Sequence, residues 1–159
     1  MRRTVQVITF TSTFAAWLAV LPAQAPDPMA GTWKLNLTQS NFSPGPPPKG
    51  ATVVIKPVGA QVNVVLDMEL GTGRMIHFEY TGTQDGSDTP VPGGGLVDTV
   101  AERRINIRTV SRDDKKDGKV TRHQLSTLSA DGKTLRVEIA TINAQGVPVD
   151  DYQIYDKQQ

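Results

Sequence analysis

The chain has 159 residues, of which 38% are hydrophobic and 21% charged, which is the composition of one globular domain rather than of a disordered or membrane-embedded protein. A formal net charge of +1 gives no global attraction to nucleic acid, and the absence of cysteine excludes disulfides and cysteine-ligated metals. Packing and sheet pairing must therefore hold the fold together.

The first 25 residues have the three parts of a secretory signal peptide. Two arginines follow the initial methionine, an apolar run extends from Val5 to Val20, and Ala23-Gln24-Ala25 offers a small-residue cleavage site. The run is too short and too polar for a transmembrane helix, which needs about twenty mainly apolar residues. The sequence predicts a cleaved leader, a mature domain at residues 26–159 with no membrane span, and a secreted or periplasmic location.

The first predicted strand, Gly31 to Leu37, contains Trp33, the only tryptophan outside the leader. An indole buries about 150–250 Å², so Trp33 is predicted to be a central core residue. A proline-rich segment, Pro44 to Pro48, follows, and its prolines provide no hydrogen-bond donors for a sheet. We expect it to be a rigid loop over one end of the fold. The alternative is a loop on which a protein partner docks.

Alternating apolar and polar residues predict the next strands, at Ala51–Val58, Gln61–Leu70 and Arg74–Thr83. The apolar faces of the last two include Leu66, Met68, Phe78 and Tyr80. The stretch from Asp85 to Gly95 contains two prolines and several glycines, so it is predicted to be a long, mobile loop.

Three turn pairs recur at a spacing of fourteen in the second half: Asp117-Gly118, Asp131-Gly132 and Gln145-Gly146. Asp-Gly favours two-residue hairpin turns, which predicts strands at 109–116, 119–129, 133–142 and 147–156, after another at 97–105. About eight or nine strands in chain order form an antiparallel up-and-down meander, and closure into a barrel removes its edges. The alternative all-β fold is a β-sandwich, but its usual connections are longer than the links seen here.

Gly31-Thr32-Trp33 resembles the Gly-x-Trp signature with which lipocalins and the wider calycin group begin their first strand. The resemblance implies a tryptophan that closes one end of the barrel beneath a basic residue of the last strand. Lys157 takes that place here, where lipocalins generally have arginine. It also implies a non-catalytic protein that binds a small hydrophobic or amphipathic molecule. The mature chain further resembles small exported bacterial proteins of unassigned function.

Residues 103–122 carry eight basic and three acidic side chains. They form either an outward-facing, solubilising hairpin or a site in which Arg103 or Arg122 turns inward and binds a carboxylate. In the second case the ligand's tail contacts the apolar faces that contain Leu66, Met68, Phe78 and Tyr80. No aromatic residues are interleaved, so nucleic acid is not predicted as a partner. The alternative function is that of a filled barrel, acting as a structural or protein-interaction module of the cell envelope.

Other groups of polar residues match metal-binding or catalytic patterns, but only weakly. His77, Glu79 and the distant His123 are of the types that form a two-histidine, one-carboxylate metal site. Asp67 and Glu69 lie about 6–7 Å apart along one predicted strand face, a separation that suits the paired carboxylates of a glycosidase. His77, Glu79, Asp67 and Glu69 all alternate with apolar residues, so they are predicted to face water. The sequence therefore predicts no cofactor, no metal and no enzymatic activity.

Overall fold

A computed structural model describes residues 26–42, 45–93, 95–142, 146 and 148–159. The predicted leader and most of the predicted Gln145-Gly146 turn lie outside this part of the chain. The ten strands are β1 (Gly31–Asn41), β2 (Gly50–Val58), β3 (Gln61–Glu69), β4 (Met75–Gly82), β5 (Asp85–Pro90), β6 (Thr99–Asn106), β7 (Thr109–Lys116), β8 (Lys119–Leu128), β9 (Thr134–Ile142) and β10 (Pro148–Lys157). The described residues include no helix that could cross a membrane. For this part of the chain the all-β prediction is confirmed, with ten strands instead of eight or nine.

All ten strands belong to one antiparallel sheet in the order β4-β3-β2-β1-β10-β9-β8-β7-β6-β5. Strands adjacent in sequence are adjacent in the sheet, except for β4 and β5, which lie at its two ends. The first and last strands also pair, with Trp33 of β1 opposite Lys157 of β10. The sheet curls into a nearly closed barrel, so the β-sandwich alternative is wrong. Short links favour this result, because they place most strands beside their neighbours in sequence.

The barrel closes at a seam between β4 and β5, which are the two ends of the strand order. Gly82 lies so close to Thr89 that a Cβ on the glycine would be 2.2 Å from the threonine Oγ1. Buried side chains from both sides of the seam form one apolar cluster: Val62, Val64, Phe78, Tyr80, Val91, Val97 and Val100. Packing therefore closes the barrel where the strand ladder stops.

One end of the barrel, here called the closed end, is filled by Trp33, which is completely buried. Its Nε1 donates to the carbonyl oxygen of Met29 at 3.0 Å, and Lys157 Nζ lies 5.0 Å from the ring centroid. Lys157 Nζ also donates to the carbonyl oxygen of Pro28 at 3.0 Å. The predicted core position of Trp33 and its cover by Lys157 are both confirmed.

The opposite end, here called the mouth, carries the loop between β5 and β6. The prediction of one mobile loop over 85–95 is wrong in its first half, where β5 pairs with β6 through a register shift between Asp85 and Asp88. An edge strand is paired on one side only, so it tolerates the proline and glycine that argued against a strand. Beyond β5, Val91 donates its N–H to the carbonyl oxygen of Asp98 at 2.9 Å, and Val91 and Val97 are buried.

The proline-rich segment also lies at the mouth, between β1 and β2. Pro46 and Pro47 are exposed and Pro48 is buried, while Pro44 lies outside the described residues. Lys49 donates its N–H to the carbonyl oxygen of Glu69 at 2.7 Å, which ties the end of the segment to β3. Docking of a protein partner on this loop stays a prediction.

Candidate ligand-binding cavity

The interior of the barrel is polar where β7 meets β8. Alternate residues of a strand share a face, so Arg112 and Asp114 follow Val110 into the interior, opposite Gln124 and Arg122 of β8. The Asp114 carboxylate is completely buried. It accepts hydrogen bonds from Arg112 Nε at 2.8 Å, Arg122 Nε at 2.6 Å and Gln124 Nε2 at 3.0 Å, and it also pairs with Arg122 Nη2. One carboxylate thus holds two guanidinium groups in place.

These groups border a cavity of about 80 Å³ inside the barrel. Its apolar wall comes largely from β2 and β3, through Val53, Ile55, Leu66 and Met68. Its polar wall comes from β7, β8 and β10, through Arg112, Arg122, Gln124, Ser126, Gln153 and Tyr155. The cavity is therefore amphipathic, and both of the charged residues that line it are arginines.

Tyr155 adds a neutral phenol to this wall. Its hydroxyl donates to Gln153 Oε1 at 2.6 Å. Burial raises the pKa of Tyr155 to about 12, while the nearby Arg112 and Arg122 act in the opposite direction. Tyr155 is therefore protonated at neutral pH and leaves the arginines as the charged groups of the cavity.

Arg112 is held from its other side by the aromatic residues of β4. Its guanidinium carbon lies 5.2 Å from the ring centroid of Phe78 and 5.8 Å from that of Tyr80, and the two rings meet edge to face at 5.6 Å. Such cation–π contacts stabilise a desolvated cation. Tyr80 donates its hydroxyl to Glu102 Oε2 at 2.7 Å, and burial raises the pKa of Tyr80, which keeps the phenol protonated. Arg112 is thus fixed by packing as well as by Asp114.

Arg122 lies at the boundary between the cavity and solvent. Its side chain is 36% exposed, against 15% for Arg112. It lines both the internal cavity and a second space of about 560 Å³ at the mouth, where Leu96, Val97 and Ile142 also contribute. Leu96 and Ile142 are among the most exposed large apolar residues of the described chain. The Arg122 guanidinium is therefore accessible from the mouth as well as from inside.

The structure brings together three of the six residues predicted to bind a ligand: Leu66, Met68 and Arg122 all line the cavity. Phe78 and Tyr80 are buried in the adjacent apolar cluster and approach the cavity through Arg112. Arg103 is exposed on the outer face, with its guanidinium against Gly86, so it is not part of this site. It alternates with the inward-facing Glu102, which is why it points outwards.

Five residues of the polar wall are absent from the predicted site: Arg112, Gln124, Ser126, Gln153 and Tyr155. In the sequence, Arg112 is one of several charges in the basic segment. The available signal was its spacing of two residues from Val110, an apolar residue that marks the inner face of β7.

The side chains considered for metal binding or catalysis lie on the outer surface. His77 Nδ1 is 2.7 Å from Asp67 Oδ1, and the hydrogen bond that the ring donates to this carboxylate is the main cause of a raised pKa for His77. His123 contacts Asp113 instead, on a different pair of strands. Glu69 pairs with Lys49 Nζ at 2.9 Å. Within the described chain, no three side chains of the metal-binding types are arranged to hold an ion.

No protein-family model matches the sequence, and a search of curated proteins found no significant match. Among solved structures, the chain is similar to lobster apocrustacyanin A1, with 13% identity and a TM-score of 0.43 over 84% of this chain and 62% of that one. Similarity to apocrustacyanin C1 covers 83% and 62%, with 13% identity and a TM-score of 0.43. The siderocalin Ex-FABP is 13% identical, with a TM-score of 0.36 over 82% and 74%.

The chain spans 62% of the length of the two apocrustacyanin chains. The features that make the fold lipocalin-like are those of this chain's own structure. It is an up-and-down meander in one nearly closed barrel, and its first-strand Trp33 is covered by Lys157 of the last strand.

Proposed function

We propose that this protein binds a small amphipathic molecule with an anionic head group, such as a carboxylate, inside the barrel and without catalysis. The observation that supports the proposal most is the pair of arginines on the wall of an otherwise neutral and partly apolar cavity. Asp114 pairs with both guanidinium groups, and the buried Glu102 acts on Arg112 from the side of Tyr80. Arg122 is 36% exposed, so it is the cation with which a bound anion would pair.

The geometry of Arg122 suits this role. Asp114 engages its Nε and Nη2, and no described residue accepts a hydrogen bond from its Nη1. Guanidinium groups bind carboxylates through charge-assisted hydrogen bonds, which contribute about 1.5–3 kcal/mol each. Arg122 is only partly exposed, so a carboxylate bound to it would be screened less than one at a fully exposed cation.

The apolar wall of the cavity would contact the hydrophobic tail of the ligand. Leu66 and Met68 are only partly buried by the protein itself and face the cavity from β3. Each methylene group transferred from water to such a surface contributes about 0.8 kcal/mol. The ligand class that satisfies both walls is therefore an amphipathic acid rather than a polar ion or a plain hydrocarbon.

The test is an NMR titration of ¹⁵N-labelled protein with butanoate and, separately, with 1-butanol, a neutral molecule of similar size. We expect butanoate to shift the resonances of cavity residues at concentrations where butanol does not. Arg122→Gln should weaken butanoate binding about tenfold to a hundredfold, the loss that corresponds to one charge-assisted hydrogen bond. Arg103→Gln removes a charge from the same basic segment outside the cavity, and it should bind as the wild type does. Equal binding of butanoate by Arg122→Gln and Arg103→Gln would contradict the proposal.

A filled barrel that acts as a structural or interaction module remains the second candidate. The observation in its favour is the size of the cavity, about 80 Å³ against about 300–1,000 Å³ for sites that hold drug-sized ligands. Native mass spectrometry of protein purified from its own host separates the two functions. A co-purifying small acid supports ligand binding, and a clean apo mass under gentle conditions supports the module.

Export is also part of the proposal, because residues 1–25 carry the pattern of a cleaved leader. Amino-terminal sequencing of the protein from the periplasm or the medium should begin at Pro26. Recovery of the uncleaved chain from the cytoplasm alone would contradict export without affecting the binding site.

A further inference from the structure

We infer that the interior site selects short-chain monocarboxylates, of about three to five carbons, over longer ones. The inference rests on the proposed function and specifies its ligand. It follows from the volume of the cavity, from the position of Arg122 at one side of it, and from the rigidity of the opposite side.

The volume sets the length of the tail. One water molecule needs about 10–15 Å³ of space measured at its centre, so about 80 Å³ holds about five to eight water-sized groups. An engineered cavity of about 150 Å³ holds benzene, so a cavity half that size holds a correspondingly smaller apolar group. Counted with its carboxylate at Arg122, a ligand of about five to eight non-hydrogen atoms is an acid of about three to six carbons, and the comparison with benzene favours the shorter of these.

The far side of the cavity does not offer further space. Leu135 and Tyr155 line it there and are only 2% and 3% exposed, and both belong to the apolar cluster that contains Trp33. A longer tail would have to displace this closely packed cluster, and enlarging a well-packed core typically costs more than the added methylene contributes.

The lateral wall is also fixed. Arg112 lies between Asp114 and the rings of Phe78 and Tyr80, and Tyr80 is anchored by its hydrogen bond to Glu102. At the mouth, by contrast, Leu96 is 77% and Ile142 is 69% exposed. A tail that turned towards them would stay largely in water, so it would gain little from each added carbon.

The experiment measures dissociation constants by NMR titration for the linear carboxylates from acetate to octanoate. For the wild type, we expect binding to tighten by about fourfold per carbon, the effect of burying one methylene, up to four or five carbons and then to stop improving or to weaken. Continued tightening by the same factor up to octanoate would overturn the inference.

Two isoleucines of β9 provide matched variants. Ile139 lines the cavity and Ile142 lies at the mouth. Ile139→Ala should move the optimum towards chains one or two carbons longer, and Ile139→Val should move it in the same direction by less if the alanine variant does not fold. Ile142→Ala should leave the optimum unchanged. A shift of the optimum by Ile142→Ala and not by the Ile139 variants would overturn the inference and assign the tail to the mouth.

Different results would contradict the proposed function and the inference about chain length. If no carboxylate of the series binds more tightly than the alcohol of equal length, the proposed function itself is wrong. If carboxylates bind through Arg122 but their affinity does not depend on chain length as described, only the inference about length is wrong.

Discussion

The ammonium nitrogen of Lys157 lies 5.0 Å from the centre of the Trp33 ring, and the two residues are opposite each other in the register of β1 and β10. The same nitrogen donates to the carbonyl oxygen of Pro28. The contact therefore joins the first strand, the last strand and the amino-terminal segment of the described domain. The closed end of the barrel depends on it.

Trp33→Ala should lower the melting temperature by at least about 10 °C. Removal of a fully buried indole costs about 3–5 kcal/mol, a large part of the stability of a domain of this size. Thermal unfolding followed by circular dichroism measures the shift. Leu96→Ala, which truncates an exposed residue at the mouth, should change the melting temperature little. A shift of the Trp33 variant within experimental error would show that the closed end is not the core of the fold.

Gly31→Ala should destabilise the barrel more than Gly59→Ala. Both glycines have positive φ, 141° and 61°, but a Cβ at Gly31 would lie 2.9 Å from Lys157 Cε, whereas Gly59 has open space around it. Backbone strain costs about 1–3 kcal/mol at such positions, and displacement of Lys157 adds the loss of its contact with Trp33.

Chemical denaturation compares the free energies of unfolding of the two glycine variants. In a Lys157→Ala background, Gly31→Ala should cost less than it does in the wild type, because the side chain that it displaces is gone. An equal cost in both backgrounds would show that the close approach to Lys157 is unimportant.

Because the Tyr155 phenol is buried, we expect the protein to lose stability at alkaline pH. Its pKa is about 12 in the folded protein and about 10 in an unfolded chain, so the unfolded state releases its proton first. The contribution of the protonated Tyr155 to the free energy of unfolding is fully present below pH 10. It is lost as the pH rises towards 12, by up to about 1.4 kcal/mol per pH unit. Urea denaturation between pH 9 and 11.5 should therefore show a steeper decline for the wild type than for Tyr155→Phe. Parallel declines would contradict the burial of this phenol.

His77 should titrate above its ordinary pKa of 6.5, because the Asp67 carboxylate accepts a hydrogen bond from the ring and favours the charged form. The sign of this shift means that the interaction stabilises the fold below pH 6.5 and is lost as the pH rises through the pKa of His77. In an NMR titration, Asp67→Asn should lower that pKa. Asp113→Asn, which removes the partner of His123, should leave it unchanged. An unshifted His77 in the Asp67 variant would show that the pair does not form in solution.

The sequence predicts the barrel better than it predicts its interior. Regular turns and alternating apolar residues indicate the strands of the meander, and Trp33 with Lys157 indicates how the first and last strands meet. β5 was missed because an edge strand that pairs on one side can be built from Asp, Gly, Ser and Pro. Composition alone does not distinguish such a strand from a loop.

Burial of the Asp114 carboxylate could not be predicted from β7 alone, because charged residues occupy both faces of this strand. Arg112 and Asp114 face inwards, whereas Asp113 is paired across strands with His123 on the outer face. Which of two adjacent charged residues is buried depends on partners from other strands, and Asp114 is buried because Arg112, Arg122 and Gln124 surround it. This arrangement requires the three-dimensional pairing of β7 with β8.

The most direct test of the proposed site is a crystal structure of the protein with 3-bromopropanoate, whose bromine is located by its anomalous scattering. The account predicts a carboxylate within hydrogen-bond distance of Arg122 and a bromine peak between Leu66, Met68 and Leu135. A bromine peak only on the outer surface, or a cavity that contains only water at saturating ligand, would contradict it.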